Sequence, residues 1–295
     1  MRTLPGIALA LSLALVAGCS VRLDVPDPTP PPATPAEEVR QREALRAREY
    51  ASTADFGAGV PAVERVAAHA GRHLEALGGV WEPWPEGDGP TEPAYPSPSA
   101  DVGPFTDVAG LAASFATTTP EVCDEALIAE DDAAATLYAS MCVSRMLDWD
   151  MLAATTGQPS PEFPAPSTDL VTPDAHLIVT LDAAAWATEV HAATARAAGD
   201  AGWVDLEARA DRFRTLAFDA VTAYGWAGTA EDPRLPSYDT DALPDQATVA
   251  AEITRASVGA MAAAPDRVGM LDLALATAID AQRGGVDLGP LPGID

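Results

Sequence analysis

Alanine-rich, helix-forming stretches separated by proline-rich connections run through most of this 295-residue chain. Alanine supplies about a fifth of the residues, which favours helices, and the one short β-branched run, 177–181, lies inside a helical pattern. The sequence therefore predicts an all-α fold, and its 48% of hydrophobic residues are enough to build a sizeable core. The predicted helices cover residues 37–56, 62–80, 107–129, 133–155, 173–198, 201–225, 244–264 and 266–283.

The order of these helices repeats along the chain. Each half has two long helices, a connection rich in proline and acidic residues, and two further helices, and each connection directly follows a tryptophan, Trp81 or Trp226. This layout predicts a diverged duplication of a four-helix unit, and one irregular array of eight helices is the alternative. The predicted divisions are a first bundle at 37–157, a linker at 158–172, a second bundle at 173–285 and a C-terminal tail at 286–295.

The N-terminus has the pattern of a secretory signal. Arg2 precedes an apolar run of about eleven residues, which is too short for a spanning helix of about 20. Residues 16–19, Val-Ala-Gly-Cys, resemble the lipobox of bacterial lipoproteins, and this resemblance implies diacylglycerol attachment to Cys19 and cleavage before it. An ordinary signal peptide with an incidental cysteine is the alternative.

The lipobox sets the expected location of the chain. We expect a signal peptide at 1–18, followed by lipidated Cys19 and a proline-rich tether at 19–36. The lipid bilayer is then a partner through the acylated Cys19, and the protein is held at the extracytoplasmic face of the cell membrane.

Two further cysteines, Cys123 and Cys142, are 19 residues apart. On one straight helix they would be about 28 Å apart, too far for a disulfide. If the chain reverses near residues 130–132, they face each other across an antiparallel helix pair. We predict a disulfide between them, in keeping with an oxidising compartment, with two buried thiols as the alternative.

Composition and motifs argue against several functions. The net charge of −27 argues against nucleic acid as a partner, because phosphate backbones are bound by clustered Lys and Arg. No His-Glu-x-x-His, Gly-x-Ser-x-Gly, P-loop or Gly-x-Gly-x-x-Gly motif occurs. We therefore expect no catalytic residue and no cofactor.

Polar residues on the first two helices form the main candidate site. Glu49 shares a helical stripe with apolar residues, which predicts that it faces inward. His69 and His73 are four apart on the next helix, and Arg145 is the lone base on its stripe of the fourth. We predict a buried polar cluster of Glu49, His73 and Arg145, and the alternative is a metal site of Glu49, His69 and His73.

Several segments resemble an actinobacterial ferritin-like domain of unknown function that occurs in secreted proteins and lipoproteins. They are Ala-Arg-Glu-Tyr at 47–50, Ala-His-x-Gly-Arg-His-Leu-Glu-Ala-Leu at 68–77, Ala-Tyr-Pro at 94–96, and the pair Arg145 and Trp149. The second half is similar more loosely, at 181–184 and 208–212. The resemblance implies two tandem ferritin-like four-helix bundles and no established activity. The chain departs from di-iron ferritin-like proteins because it has no Glu-x-x-His.

These observations predict a membrane-anchored extracytoplasmic lipoprotein that acts as a non-catalytic envelope or binding protein, possessing an unidentified ligand or envelope protein partner. A metal-dependent ferritin-like enzyme or metal-storage module that uses the Glu and His residues is the first alternative. The second is the solute-binding lipoprotein of a transporter, a class that is usually α/β.

Overall fold

The computed structural model describes residues 33–82, 99–166, 172–239 and 243–294. These residues form helices and irregular segments without a strand, which confirms the all-α prediction. The signal peptide, Cys19 and nearly all of the predicted tether lie outside the described residues. The helices of the described part are α1 Pro35–Ala51, α2 Pro61–Ala76, α3 Val108–Ile128, α4 Asp132–Thr156, α5 Ala175–Ala198, α6 Trp203–Ala223, α7 Gln246–Gly259 and α8 Arg267–Arg283.

The helix boundaries follow from capping residues in the sequence. Six helices begin after a Thr or Asp whose side-chain oxygen accepts a hydrogen bond from the backbone N–H three residues later, which satisfies a donor that the helix leaves open. Gly157 and Gly199 end α4 and α5 in the left-handed conformation that glycine adopts without strain. The six capping residues are Thr34, Asp107, Asp131, Asp174, Asp245 and Asp266.

The two halves arrange their helices in the same order. In the first half, α1 packs against α2 and α3, and α4 packs against the same two helices. In the second half, α5 packs against α6 and α7, and α7 packs against α8. Arg209 of α6 pairs with Asp280 of α8 at 3.2 Å. The second and fourth helices of this half are therefore in contact, as α2 and α4 are in the first half.

Helix α4 joins the two halves. It packs against α2 and α3 on one side, and against α7, α8 and the 3-10 turn Ala260–Ala263 on the other. Its middle, from Tyr138 to Asp148, is buried throughout, as expected for a helix that is covered on all sides. One apolar core therefore runs through both halves, and all eight described helices belong to one compact unit, Thr34–Trp81 with Ser99–Asp295.

The C-terminal segment packs against the first half of the chain. Leu288 and Leu291 are buried in the shared core. Ser140 of α4 donates a hydrogen bond to the carbonyl of Pro292 at 2.9 Å, and Arg65 of α2 pairs with Asp287 at 3.1 Å. The segment predicted as a tail is thus part of the folded body.

The predicted disulfide is confirmed. Helices α3 and α4 form an antiparallel pair joined at residues 129–131, and Cys123 is bonded to Cys142 with their Cα atoms 4.9 Å apart. The reversal of the chain brings together two residues that a straight helix would separate. None of the described helices has the length and apolar character needed to cross a bilayer.

Candidate functional site

Six charged or ionisable side chains meet in the interior of the first half. We call them the ionic cluster, and each is no more than 6% exposed. Because an unpaired buried charge is costly, the partners of each member decide whether the cluster is structural or chemically available. The members are Glu43 and Arg46 on α1, His69 and His73 on α2, and Arg145 and Asp148 on α4.

Glu43 is the buried carboxylate at the centre of the cluster, with an exposed fraction of 0%. It accepts a hydrogen bond from Arg145 Nη1 at 2.6 Å and another from Arg46 Nη1 at 2.9 Å. Arg42 Nε lies 3.4 Å from the same carboxylate. Three guanidinium groups therefore surround one carboxylate, which leaves it no open side for a ligand.

The prediction that Glu49 belongs to the buried cluster is wrong. Glu49 is only partly buried, with its side chain 25% exposed and its carboxylate 3.8 Å from Nε of the neighbouring Arg48. The buried face of α1 contains Glu43, Ala44, Arg46 and Tyr50, so Glu49 lies at the edge of that face. The physical reason is that pairing with Arg145 allows Glu43 to take the interior position.

Arg145 is the largest fully buried side chain, with an exposed fraction of 1%. Its carbon Cζ lies 5.6 Å from the centre of the Tyr50 ring, in cation–π contact. Its Nε and Nη2 atoms have no hydrogen-bond partner within the described part of the chain. The prediction that Arg145 lies in a buried polar cluster is therefore correct, although its partner is Glu43 and not Glu49.

Arg46 connects the cluster to the surface. Its guanidinium binds Asp101 through Nε at 2.9 Å and Glu121 of α3 through Nη2 at 2.6 Å. Burial acts to lower the pKa of Arg46, but the hydrogen bond to Asp101, the charge of Glu43 and the bond to Glu121 outweigh it and raise the pKa. The arginine is thus firmly charged and ties α1 to α3.

Asp148 is also saturated by its neighbours. Its carboxylate accepts from Arg65 Nε at 2.9 Å and lies 3.0 Å from His69 Nδ1. Ser144 Oγ lies 3.2 Å from the same ring nitrogen. Asp148 therefore holds α2 against α4 through two side chains of α2.

His73 is held neutral in the interior. Its Nε2 donates a hydrogen bond to the carbonyl of Pro290 at 2.7 Å, so this ring nitrogen carries the proton. Burial and the nearby charge of Arg145 lower the pKa of His73 to about 3, against smaller opposing effects of Pro290 and Asp148. The ring serves as a hydrogen-bond donor to the C-terminal segment.

The structure does not bring the metal-site candidates together. Glu49 lies outside the ionic cluster, His69 faces Asp148, and His73 faces Pro290. Across residues 33–82, 99–166, 172–239 and 243–294, no group of three His, Cys, Asp or Glu side chains has the spacing to hold a metal ion. The arginines take the positions around the buried carboxylates that a cation would need.

Sequence reasoning missed Glu43, Arg46 and Asp148. The signal for the first two was their i,i+3 spacing, which permits a salt bridge on one face of a helix. Apolar periodicity does not reveal such a pair, because it assigns charged residues to the surface.

An open cavity of about 820 Å³ lies at one end of the first half. We call it the end cavity. It forms where the first turns of α1 and α4 meet the last turns of α2 and α3. Its walls are mainly apolar, and its rim carries four carboxylates. The apolar lining is Pro35, Ala36, Val39, Ala76, Leu77, Ile128, Ala129, Ala134 and Leu137, and the acidic rim is Glu37, Glu125, Glu130 and Asp131.

Two polar side chains, Arg40 and Tyr138, also line the end cavity. Arg40 is engaged, because its Nη1 donates to the carbonyls of Leu77 at 2.6 Å and Gly79 at 2.8 Å. Tyr138 is 5% exposed, and its hydroxyl has no hydrogen-bond partner among the described residues. Burial and the charges of Glu43 and Glu125 raise the pKa of Tyr138, so the phenol is a neutral donor.

A second, more polar groove of about 510 Å³ lies between α5 and α6. Its carboxylates are paired, Glu207 with Arg196 at 3.4 Å and Glu189 with Arg214.

Comparisons with protein-family models, curated proteins and solved structures gave no match to this chain. The chemistry of its own residues must therefore indicate its function.

Proposed function

We propose that this chain is a lipid-anchored extracytoplasmic protein that works by binding and not by catalysis, and that the end cavity is its binding site. The observation that carries the proposal is the contrast between its two polar regions. In the ionic cluster each carboxylate is saturated by arginine or histidine, whereas the end cavity is open and its lining includes the Tyr138 side chain, whose hydroxyl is available to a ligand. Open apolar cavities with a few polar groups are typical of small-molecule sites.

The anchor is supported by the sequence and by the disulfide. The lipobox-like segment at 16–19 places a cysteine directly after small residues, and the Cys123–Cys142 bond fits an oxidising compartment. Two or three acyl chains on Cys19 give stable attachment without a spanning helix.

The duplicated ferritin-like architecture is supported by the shared order of helices. In each half the first helix neighbours the second and third, and the third neighbours the fourth. We propose that the halves are diverged copies of one four-helix unit that now share a core through α4.

The alternatives draw less support from the structure. A metal-dependent enzyme would need Glu49 beside His69 and His73, and these three side chains have separate surroundings. A transporter's solute-binding lipoprotein is usually α/β, whereas the described residues are helical.

Metabolic labelling with an alkyne analogue of palmitate tests the anchor. We expect the label on the wild-type chain and its loss in Cys19→Ala, with the Cys123→Ala/Cys142→Ala variant as a control that keeps it. An unlabelled wild-type chain would contradict the anchor.

Metal analysis of protein purified without a His tag tests the choice between binding and metal chemistry. We expect less than stoichiometric Fe, Mn and Zn. Stoichiometric metal that is lost in Glu49→Ala, or reproducible turnover of a substrate, would overturn the non-catalytic assignment.

A further inference from the structure

We infer that the end cavity binds one acyl chain of an uncharged lipid ester drawn from the bilayer, with the Tyr138 hydroxyl donating to the ester carbonyl. The inference deepens the proposed binding function and rests on it. It adds the chemical class of the ligand, which follows from the lining, the free hydroxyl, the rim charge and the position of the cavity in the chain.

The lining favours a hydrocarbon chain. A volume of about 820 Å³ is within the range of small-molecule sites, and the walls are contributed mainly by apolar side chains of four helices. Ile128 at the end of α3 is 70% exposed beside the cavity, which leaves apolar surface for a ligand to cover.

Tyr138 supplies the polar contact. Tyr138 lines the cavity, and no hydrogen bond of its hydroxyl to another described residue is present, although the hydroxyl is not enclosed. The hydroxyl can therefore donate to a carbonyl oxygen of a ligand in the cavity. Tyr50, the other buried tyrosine of the first half, needs no such partner, because its hydroxyl bonds to Ser114 at 2.9 Å and Thr118 at 2.7 Å.

The rim charge selects against anionic ligands. Four carboxylates and one arginine line the cavity. Arg40 is paired with Glu37 and bound to two backbone carbonyls, and Glu125 is paired with Arg42 at 2.7 Å, so Glu130 and Asp131 are the two carboxylates of the rim without an arginine partner among the described residues. Glu130 is exposed, and Asp131 caps α4 through the N–H of Ala134. The charge of this rim repels a fatty-acid carboxylate or a phosphate headgroup, whereas an uncharged glycerol ester meets no such repulsion.

The position of the cavity places it within reach of a bilayer. Thr34 lines the cavity and caps α1, and Cys19 precedes Thr34 by 15 residues. Fifteen residues reach at most about 50 Å. A chain anchored at Cys19 therefore keeps the cavity within that distance of the bilayer.

The test uses residues 20–295, which contain every described helix and lack the acylated cysteine, so that added lipid has no covalent competitor. Monooleoylglycerol and oleate are titrated below their critical micelle concentrations at pH 7.5 and followed by native mass spectrometry and calorimetry. We expect saturable one-to-one binding of monooleoylglycerol that is at least about tenfold tighter than that of oleate.

Two variants block the cavity and one matched control does not. Ala134→Phe fills the lining, and Ile128→Asp adds a charge at an exposed position where folding is not at risk. Both are expected to weaken binding at least about tenfold. Ala133→Phe, at the exposed neighbouring position outside the lining, should leave it unchanged.

Tyr138→Phe should weaken binding about fivefold through the lost hydrogen bond, with Tyr50→Phe as its control. Absence of saturable binding, or equal binding by the wild type and Ile128→Asp, would overturn the inference, and so would oleate bound as tightly as the ester. Palmitate labelling at Cys19 is independent of these variants, so failure of the anchor and failure of the cavity are distinguishable.

Discussion

Glu43 and Arg145, which are 102 residues apart in sequence, form a 2.6 Å ion pair in which neither side chain is more than 1% exposed. The pair joins α1 to α4 across the middle of the first half. Arg46 makes a further bond to the same carboxylate at 2.9 Å. Removal of the carboxylate would leave buried positive charge without compensation, so this residue is the sensitive point of the cluster.

Glu43→Ala is expected to lower the free energy of unfolding by about 3–5 kcal/mol, because the buried guanidinium of Arg145 loses its ion-pair partner and that of Arg46 keeps only Asp101 and Glu121. Glu49→Ala, on the same helix but partly exposed, should cost less than about 1 kcal/mol. Urea unfolding followed by circular dichroism measures both.

The double variant Glu43→Met/Arg145→Met separates pairing from packing. Replacement of both members by apolar side chains removes the uncompensated charge, so this variant should be more stable than Glu43→Ala. Equal costs at Glu43 and Glu49 would show that the interior pairing has been assigned to the wrong glutamate.

Acid should destabilise the protein through His73. Its pKa is about 3 in the folded chain and 6.5 for an unperturbed histidine, so the stabilising contribution is complete above pH 6.5 and is lost as the pH falls toward 3. His73→Gln should remove this dependence, which amounts to about 2–3 kcal/mol between pH 6.5 and pH 4.5. Thermal unfolding at several pH values measures it.

The control for His73 is His176→Gln, at an exposed position on α5. This variant should keep the pH dependence of the wild type. If His73→Gln loses stability with acid as steeply as the wild type, the histidine titrates in the folded state and is not held neutral by burial.

Loss of the disulfide should reduce stability without changing the helical content. The bond closes a loop between residues 19 apart, and loops of this size correspond to about 3 kcal/mol in the chain-entropy estimate. Cys123→Ala/Cys142→Ala should therefore have a lower midpoint in urea. Reductant should lower the midpoint of the wild type and leave that of the double variant unchanged, and any other pattern would contradict the bond.

Gly293→Ala should loosen the C-terminal segment. Gly293 has φ +84°, and a Cβ there would lie 2.7 Å from the carbonyl oxygen of Arg255 and 2.8 Å from Cβ of Val258. Backbone strain and the clash with α7 should together cost more than about 2 kcal/mol. Limited proteolysis from the C-terminus, together with thermal unfolding, measures the loosening.

Gly289→Ala is the matched control. Gly289 has φ +74° but open space around the added Cβ, so it should show only the backbone strain of about 1 kcal/mol. Equal effects of the two substitutions would mean that the segment does not pack closely against α7.

The helices could be predicted from the sequence because their signals are local. The predicted α8 at 266–283 and the observed Arg267–Arg283 differ by one residue, since Asp266 is a recognisable capping residue. The disulfide followed from the turn between α3 and α4. Helix α3 runs from Val108 to Ile128 with Pro120 inside it.

The ionic cluster could not be predicted in the same way, because its partners are distant in sequence. The stripe that Glu49 shares with apolar residues predicted that Glu49 faces inward, yet α1 is too polar for apolar residues to define its buried face. Glu43 is buried only because Arg145 on another helix neutralises it. A local sequence pattern does not indicate that these two residues are close together in the fold. The role of His73 likewise depends on Pro290, 217 residues away.

The contact between His73 and Pro290 also places a constraint on the order of folding. At about 5–20 residues per second, synthesis of the 217 intervening residues takes about 10–40 s. Throughout that interval the face of α2 that carries His73 lacks its C-terminal cover, and this contact of the first half waits for the last part of the second. The first half can therefore reach its final packing only after nearly the entire chain has been made.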